Sequence, residues 1–409
     1  MPKQIRVIEG SDYAKFCTLA NSAFEGLNAD EWLEEHIKET PKEHLYGLFK
    51  GNQLHAGMRT FDFEMNYDST PVQAGGVGML AVDMLHKKEK NAYQLMQYFF
   101  KLYAEKQVKL VMLHPFKASF YKKMGFGMGT KTYQFYIQPK EFPDFSKKSH
   151  LKEITSAEKG ELLDCYNRIY AQTHGMTRRF AYDRELNRPF WFGRVIGYVE
   201  EGKVKGYFVY SMQGKDLHIH ELFFEAPEVI KEFSTFLHSQ SDQIERVILN
   251  SNFDEIVHFV NSSETGETSM IDFPSATDPK PIAQLGMGVM YRLINCRGFF
   301  KELKDKNHQF NPGVTLAIKL TIADDFYPDH ARPFILDIQE GKIENIREDG
   351  LFEVEVKMNI AEFSSLVMGV ESVYTYLRWG LMEISNEKYK CVLQTLFHKD
   401  CKPMNTKAF

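Results

Sequence analysis

Ten residues, DFPSATDPKP from Asp272 to Pro281, carry three prolines, a density that neither a helix nor a central strand accommodates. A second polar stretch runs from Pro139 through Pro143 to about Lys152, with Asp144, Ser146, Lys147 and Lys148 between apolar segments. Both read as joints. They cut the 409-residue chain near 145 and 280, giving three pieces, 1–145, 146–280 and 281–409. Each piece is close to the roughly 150 residues expected of a domain.

Composition narrows the class of protein. Hydrophobic residues at 43% and charged residues at 26% exclude a disordered chain or a fibre. Lys and Arg number 50 against 55 Asp and Glu, a net charge of −5, which argues against a general nucleic-acid binder. No run approaches the roughly 18 apolar residues of a membrane span, and the start, MPKQIRVIEG, lacks a signal-peptide core. The five cysteines, Cys17, Cys165, Cys296, Cys391 and Cys401, are odd in number and far apart, so neither a disulfide framework nor a zinc site is expected. These features set the expectation of a cytoplasmic protein with no membrane, nucleic-acid or metal partner. The 33 phenylalanines predict ring-rich cores.

The first piece alternates strand and helix patterns. Leu45 to Phe49 and His55 to Phe63 read as strands around a Gly51-Asn52 turn, and Gly76 to Val82 as another. Ala92, Leu95, Met96, Phe99, Phe100 and Tyr103 recur at helical spacing. A short strand, Lys109 to His114, and a brief helix around Phe120 to Met124 follow, with Gly125 as its left-handed cap. The middle piece repeats the order more faintly: strands Val204 to Ser211 and Asp216 to Phe224, a helix Pro227 to His238, a strand Arg246 to Leu249. Phe224 runs almost directly into that helix, leaving no room for a phosphate-type loop. In the last piece Leu316, Ile318, Leu320 and Ile322, and then Phe352, Val354 and Val356, alternate with polar residues, as half-buried strands of an antiparallel sheet do. Asn359 with Glu362 forms a capping pair for a helix ending near Gly369.

The segment GGVGMLAVDMLHKKEKNAYQLM, Gly75 to Met96, carries the chemistry. A strand leads into a polar loop, and a helix starts where the loop ends. Helix starts present unpaired N–H groups and a partial positive charge, both suited to phosphate. His86, Lys87, Lys88 and Lys90 add charge there, diluted by Glu89. From charge alone, a solvated lysine loop is the commoner meaning of such a run.

This segment resembles the acetyl-coenzyme A site of the GNAT acetyltransferase superfamily. The whole chain resembles the enhanced intracellular survival (Eis-type) acetyltransferases, on LAVDMLHKK at Leu80 to Lys88, LHPFKASFYKKMGFG at Leu113 to Gly127, and the closing Phe409. The resemblance implies an α/β and α+β fold: two tandem GNAT-like domains, the second degenerate, and a sterol-carrier-protein-like domain. It implies that Leu80, Ala81 and Val82 pair their backbone with the pantetheine arm of acetyl-coenzyme A. Lys87, Lys88, Glu89, Lys90, Asn91, Ala92 and Tyr93 would hold its phosphates, and Phe116 and Lys117 would line it. Lys90 stands where the family favours glycine, which lets phosphate approach the backbone.

By the same resemblance Tyr121, in the spacing Y-x-x-x-G-x-G, is the general acid that protonates the departing thiolate. A thiol pKa of about 8.5 and a tyrosine pKa of about 10 are close enough for that transfer. The carboxylate of Phe409 is implied as the base, although a chain-terminal carboxylate has an intrinsic pKa of only about 3.5. His114, ending the strand beside the cofactor, is the rival base by pKa, and an interior hydrogen-bonded histidine is its plainer meaning. Glu25 matches the neighbourhood of an acidic pocket residue. With Asp30, Glu31, Glu34 and Glu35 it would suit an amine acceptor, such as an aminoglycoside, a polyamine or a lysine side chain, or would simply be a solvated helix face. THGMTRR, Thr173 to Arg179, has no assigned role, and Arg178 and Arg179 read as interface or salt-bridge residues. The resemblance further implies a homo-oligomer, commonly a hexamer. Two other readings remain at this point: a catalytically silent coenzyme- or ligand-binding regulator, and a hydrophobic-ligand carrier working through the last domain.

Overall fold

A computed structural model of the chain describes residues 2–30, 44–181, 186–264, 280–328 and 331–405. The chain forms two compact units, one from residues 1–130, 174–177 and 289–409, the other from 131–173 and 178–288. No helix among the described residues is long and apolar enough to cross a membrane.

The first unit opens with β1 (Lys3–Val7), α1 (Asp12–Ala23), β2 (His44–Lys50), β3 (Gln53–Tyr67), β4 (Thr70–Val82), α2 (Asn91–Glu105), β5 (Leu110–Leu113) and α3 (Ala118–Lys122). The five strands lie side by side in chain order; β4 and β5 run parallel, as a strand–helix–strand crossover requires. The β2–β3 hairpin turns at Gly51, where φ is +60°, as its glycine suggests. Helix α2 buries Leu95, Met96, Phe99, Phe100 and Tyr103 along one face, the stripe that its 3.6-residue spacing predicts. Gly75 leaves the space that the Tyr103 ring fills, since a Cβ there would lie 2.4 Å from the ring. His114, one residue beyond β5, is exposed rather than interior.

The second unit contains β6 (Lys131–Ile137), β7 (Leu151–Ile154), α4 (Lys159–Gln172), α5 (Arg188–Phe192), β8 (Arg194–Glu200), β9 (Lys203–Gln213), β10 (Asp216–Phe224), α6 (Pro227–His238), β11 (Arg246–Ser251) and β12 (Gln284–Met287). Its sheet runs β12-β6-β11-β10-β9-β8-β7, with β10 and β11 parallel around α6. Only two residues separate β10 from α6, whose first residue is Pro227, so no phosphate-type loop intervenes. Arg179 is a buried salt-bridge residue: it meets Glu221 at 2.6 Å and lies over the Tyr166 ring at 3.9 Å.

The chain then returns to the first unit with β13 (Met290–Leu293), α7 (Cys296–Asp305), β14 (Leu316–Ala323), β15 (Phe334–Gln339), β16 (Lys342–Arg347), β17 (Val354–Asn359), α8 (Ile360–Val367), α9 (Val373–Arg378), β18 (Met382–Ile384) and α10 (Lys390–Phe397). Strand β13 pairs with β5 and completes the first sheet. The others form a third sheet, β16-β15-β14-β17-β18. Within it β14 and β17 pair parallel, so the sheet is mixed, not antiparallel throughout. Alternating apolar residues look alike in either direction, and only the crossover through 348–353 sets the sense of β17. The predicted Asn359–Glu362 capping pair also differs: Asn359 begins α8 without a side-chain cap, and Glu362 instead pairs with Lys122 at 2.9 Å.

Candidate active site

Strands β4 and β5 part company early. They pair only from Ala74–Leu110 to Gly76–Met112, while β4 continues to Val82. Beyond Gly76 one edge of β4 therefore has no strand partner among the described residues. The cause sits in β4 itself, where Met79 takes φ +48° and two residues, Met79 and Leu80, oppose the single Met58 of β3. Such a bulge bends its strand and frees backbone groups from the ladder. Leu80, Ala81 and Val82 lie on this open edge. An edge of this kind accepts an extended amide-bearing arm as a further strand, so its chemistry suits the two amides of pantetheine.

The loop after β4 makes one short turn, Met84–His86, capped by the Asp83 carboxylate on Leu85 N at 2.8 Å. Lys87, Lys88 and Lys90 are exposed, and none pairs with a carboxylate among the described residues. Lys88 and Lys90 both take left-handed backbone, φ +66° and +60°, and Lys90 immediately precedes α2. Position 90 thus carries a conformational demand as well as a steric one. No acidic residue occupies the first turn of α2, so its N-terminal partial charge is uncompensated. Glu89 turns elsewhere: His86 at 3.1 Å and Lys3 at 3.0 Å hold its carboxyl down to about 2. Asn91 is buried and closes the loop, donating to His86 O at 2.9 Å and accepting from Lys3 at 2.7 Å. Ala92 is half-buried, and Tyr93 leans on Phe326 with ring centres 4.5 Å apart.

His55, His86 and Glu89 gather beneath this loop. The imidazoles stack at 3.6 Å and within 9° of parallel, so their in-plane lone pairs run side by side rather than converge. Burial, reinforced by His86, lowers the pKa of His55 below the ordinary histidine value. This geometry is a stacked pair; holding one ion would require a ring to turn.

Tyr121 projects from α3 into the apolar cluster on which Leu80 and Val82 also pack. Its ring meets Phe116, Phe120 and Phe126 edge to face, with centres 5.1 to 6.0 Å apart. Burial pushes its phenol above the usual tyrosine range. Phe116 and Lys117 are exposed beside it. The glycines that follow serve packing. Gly125 takes φ +78°, and a Cβ there would lie 1.5 Å from Arg292 Nη1. At Gly127 and Gly129 a Cβ would fall within 1.9 Å of Ala361 O and Val289 O. The Y-x-x-x-G-x-G spacing is thus a docking surface for β13 and α8.

The segment with no role in the sequence reading has one here. Residues 174–177 lie along the end of β3: Gly175 N donates to Asn66 O at 2.7 Å and Asn66 N to Met176 O at 2.9 Å. On their other side runs the chain's last described stretch, with Met404 N on His174 O at 2.8 Å and Thr130 Oγ1 on Pro403 O at 2.6 Å. Gly175 allows this approach, since a Cβ would meet Pro403 at 2.5 Å. Buried Lys399 pairs with Asp68 at 2.7 Å, over the Tyr67 ring. Asn405 then reaches Met112 of β5, its Nδ2 3.9 Å from the sulfur.

The structure therefore groups Leu80, Val82 and Tyr121 in one cluster, with the lysine loop and the start of α2 directly after the open edge. Glu25 is exposed in the turn after α1. Phe409, Glu31, Glu34 and Glu35 lie outside the described residues. The Met79 bulge and Arg292 were missed by sequence reasoning. A methionine gives no local sign of left-handed backbone, and an isolated arginine gives none of burial.

Residues 4–129 match the family described as acetyltransferase (GNAT) domain, residues 172–279 match a second acetyltransferase (GNAT) domain, and residues 303–405 match the sterol carrier protein domain. No curated relative matches the chain. Three solved structures share its fold over 100% of both chains: a probable N-acyltransferase from Enterococcus faecalis at 19% identity and TM-score 0.82, a GCN5-related N-acetyltransferase from Anabaena variabilis at 14% and 0.82, and Eis1 from Mycobacterium abscessus at 15% and 0.77.

Proposed function

We propose that this chain, an acetyltransferase built as two GNAT domains and a sterol carrier protein domain in the Eis-type order, moves an acetyl group from acetyl-coenzyme A to an amine at the β4–β5 opening of its first domain. The observation that carries the site is the parting of β4 from β5 beside an exposed lysine loop and a helix start. Acetyl-coenzyme A is a co-substrate here, and the residues fit its parts. The free edge at Leu80–Val82 suits the pantetheine amides. The backbone N–H groups of 88–93, with Lys87, Lys88 and Lys90, suit the phosphates. Phe116 and Lys117 line the near side.

The amine attacks the thioester carbonyl directly. A backbone N–H of the β4 edge faces the developing oxyanion, and Tyr121 protonates the leaving thiolate. Its raised pKa keeps the phenol protonated throughout the working pH range. The base is the carboxylate of Phe409. Support comes from the clamp on 399–405: Asn405 touches β5, and the four residues beyond it reach at most about 14 Å. The acceptor is an amine, of aminoglycoside, polyamine or lysine type, near the acidic Glu25 region. The enzyme works as a homo-oligomer in the cytoplasm.

Calorimetric titration of acetyl-coenzyme A into untagged protein, beside a Lys87→Ala, Lys88→Ala variant, tests the site. Micromolar binding that weakens in the variant is expected, and no binding at millimolar ligand would sink the reading. A short extension beyond Phe409 should depress turnover while coenzyme binding survives. Equal turnover would remove the carboxylate from the mechanism.

A further inference from the structure

We propose that Arg292 is a positioning residue for Tyr121, bracing the turn that carries the phenol; the proposal rests on the acid role given to Tyr121 above. Arg292 stands on β13 opposite Val111 of β5 and has no exposed surface. Its Nη1 donates to Met124 O at 2.6 Å, and its Nη2 pairs with Asp324 Oδ2 at 2.6 Å. Met124 lies three residues beyond Tyr121, and the turn closes back on it: Tyr121 O accepts Met124 N at 2.9 Å and Phe126 N at 3.2 Å. The guanidinium thus satisfies a carbonyl that the end of α3 leaves without a helical partner. It also backs the phenol through rings. Arg292 lies over Phe100 at 4.6 Å, Phe100 meets Phe126 at 5.8 Å, and Phe126 meets Tyr121 at 6.0 Å.

A purely structural role explains this arrangement poorly. A buried ion pair is often no more stable than apolar residues of the same volume, and here Arg292 Nε is buried with no hydrogen-bond partner among the described residues. The chain nevertheless makes room for the charge, because Gly125 leaves open the space that Nη1 occupies. What the pair does supply is geometry at two places. Asp324 Oδ1 accepts Phe326 N at 3.1 Å and Tyr327 N at 3.0 Å, fixing the turn whose Phe326 supports Tyr93 at the start of α2. One ion pair from the C-terminal half therefore braces both the proposed acid and the helix start that faces the phosphates. A small shift of a reacting group can cost a large factor in rate.

The test is a double-mutant cycle of Arg292→Lys with Tyr121→Phe, read as kcat and as KM for acetyl-coenzyme A, with circular dichroism to verify folding. Expected is a fall in kcat of about tenfold for Arg292→Lys with KM unchanged. The double variant should be no slower than Tyr121→Phe alone, because Arg292→Lys keeps a cation for Asp324 and loses the contact to Met124 O, so its effect passes through the phenol. Losses that simply multiply, or an unchanged kcat in Arg292→Lys, would overturn the positioning role while leaving Tyr121 as the acid. An unchanged kcat in Tyr121→Phe would instead remove the acid itself, and the bracing role with it. Should Arg292→Lys fail to fold, Arg292→Met combined with Asp324→Asn removes both charges together and is read in the same cycle.

Discussion

Lys90 occupies left-handed backbone that glycine adopts without a Cβ penalty. It also stands at the start of α2, where glycine is accepted. Lys90→Gly should therefore raise stability by up to about 1 kcal/mol, seen as a small rise in Tm. Its effect on acetyl-coenzyme A affinity separates two roles of the side chain: weaker binding shows that its charge matters, stronger binding that its bulk obstructs. Tyr121 makes a sharper prediction. Tyr121→Phe should lower kcat by about 10² to 10⁴ with little change in KM, measured by thiol release. Burial raises the phenol above its ordinary pKa, so its proton is lost only at higher pH than for a free tyrosine. A wild-type rate that fell through neutral pH for want of an acid would contradict that assignment.

At the scale of elements, the sequence predicts a brief helix around Phe120 to Met124 with Gly125 as its left-handed cap. Gly125 is that cap, with φ +78°. The neighbouring Gly127 has another reason, because the chain of α8 passes where its side chain would be. Gly127→Ala should cost about 1–3 kcal/mol by overpacking, and Gly125→Ala more, since backbone strain adds to the collision. Denaturant unfolding measures both, and a neutral Gly125→Ala would show that the β13–α8 contact is looser than described. The element that most shapes the site, the bulge at Met79–Leu80, left no mark in the sequence. Strand periodicity records which residues face inward, while a bulge depends on how two strands pair.

For the whole first unit, the clamp on the C-terminal stretch ties stability to pH. Burial lowers His174 and His308 from 6.5 to about 4, with Lys399 adding to the effect in both. Both stay neutral in the folded protein while the unfolded chain takes up protons below about 6.5. Stability is thus complete above that pH and is lost as pH falls toward about 4, by up to about 3 kcal/mol for each histidine. Unfolding free energies at pH 7 and 5 should show this loss, and His174→Gln should shrink it; a flat profile would mean that neither histidine is buried in solution. Some of the molecule was already determined by the sequence alone. Most strands and helices, the basic loop before α2 and the missing loop in the second unit follow from short-range periodicity and from proline and glycine, which act on their own backbone. Tertiary structure decided the rest: the opening between β4 and β5, the entry of β13 into the first sheet, the parallel sense of β17, the burial of Arg292 against the Tyr121 turn, and the use of His174 to Thr177 as a clamp. Each of these joins residues far apart in the chain, and such pairings depend on where distant segments meet rather than on the order of residues within any one of them.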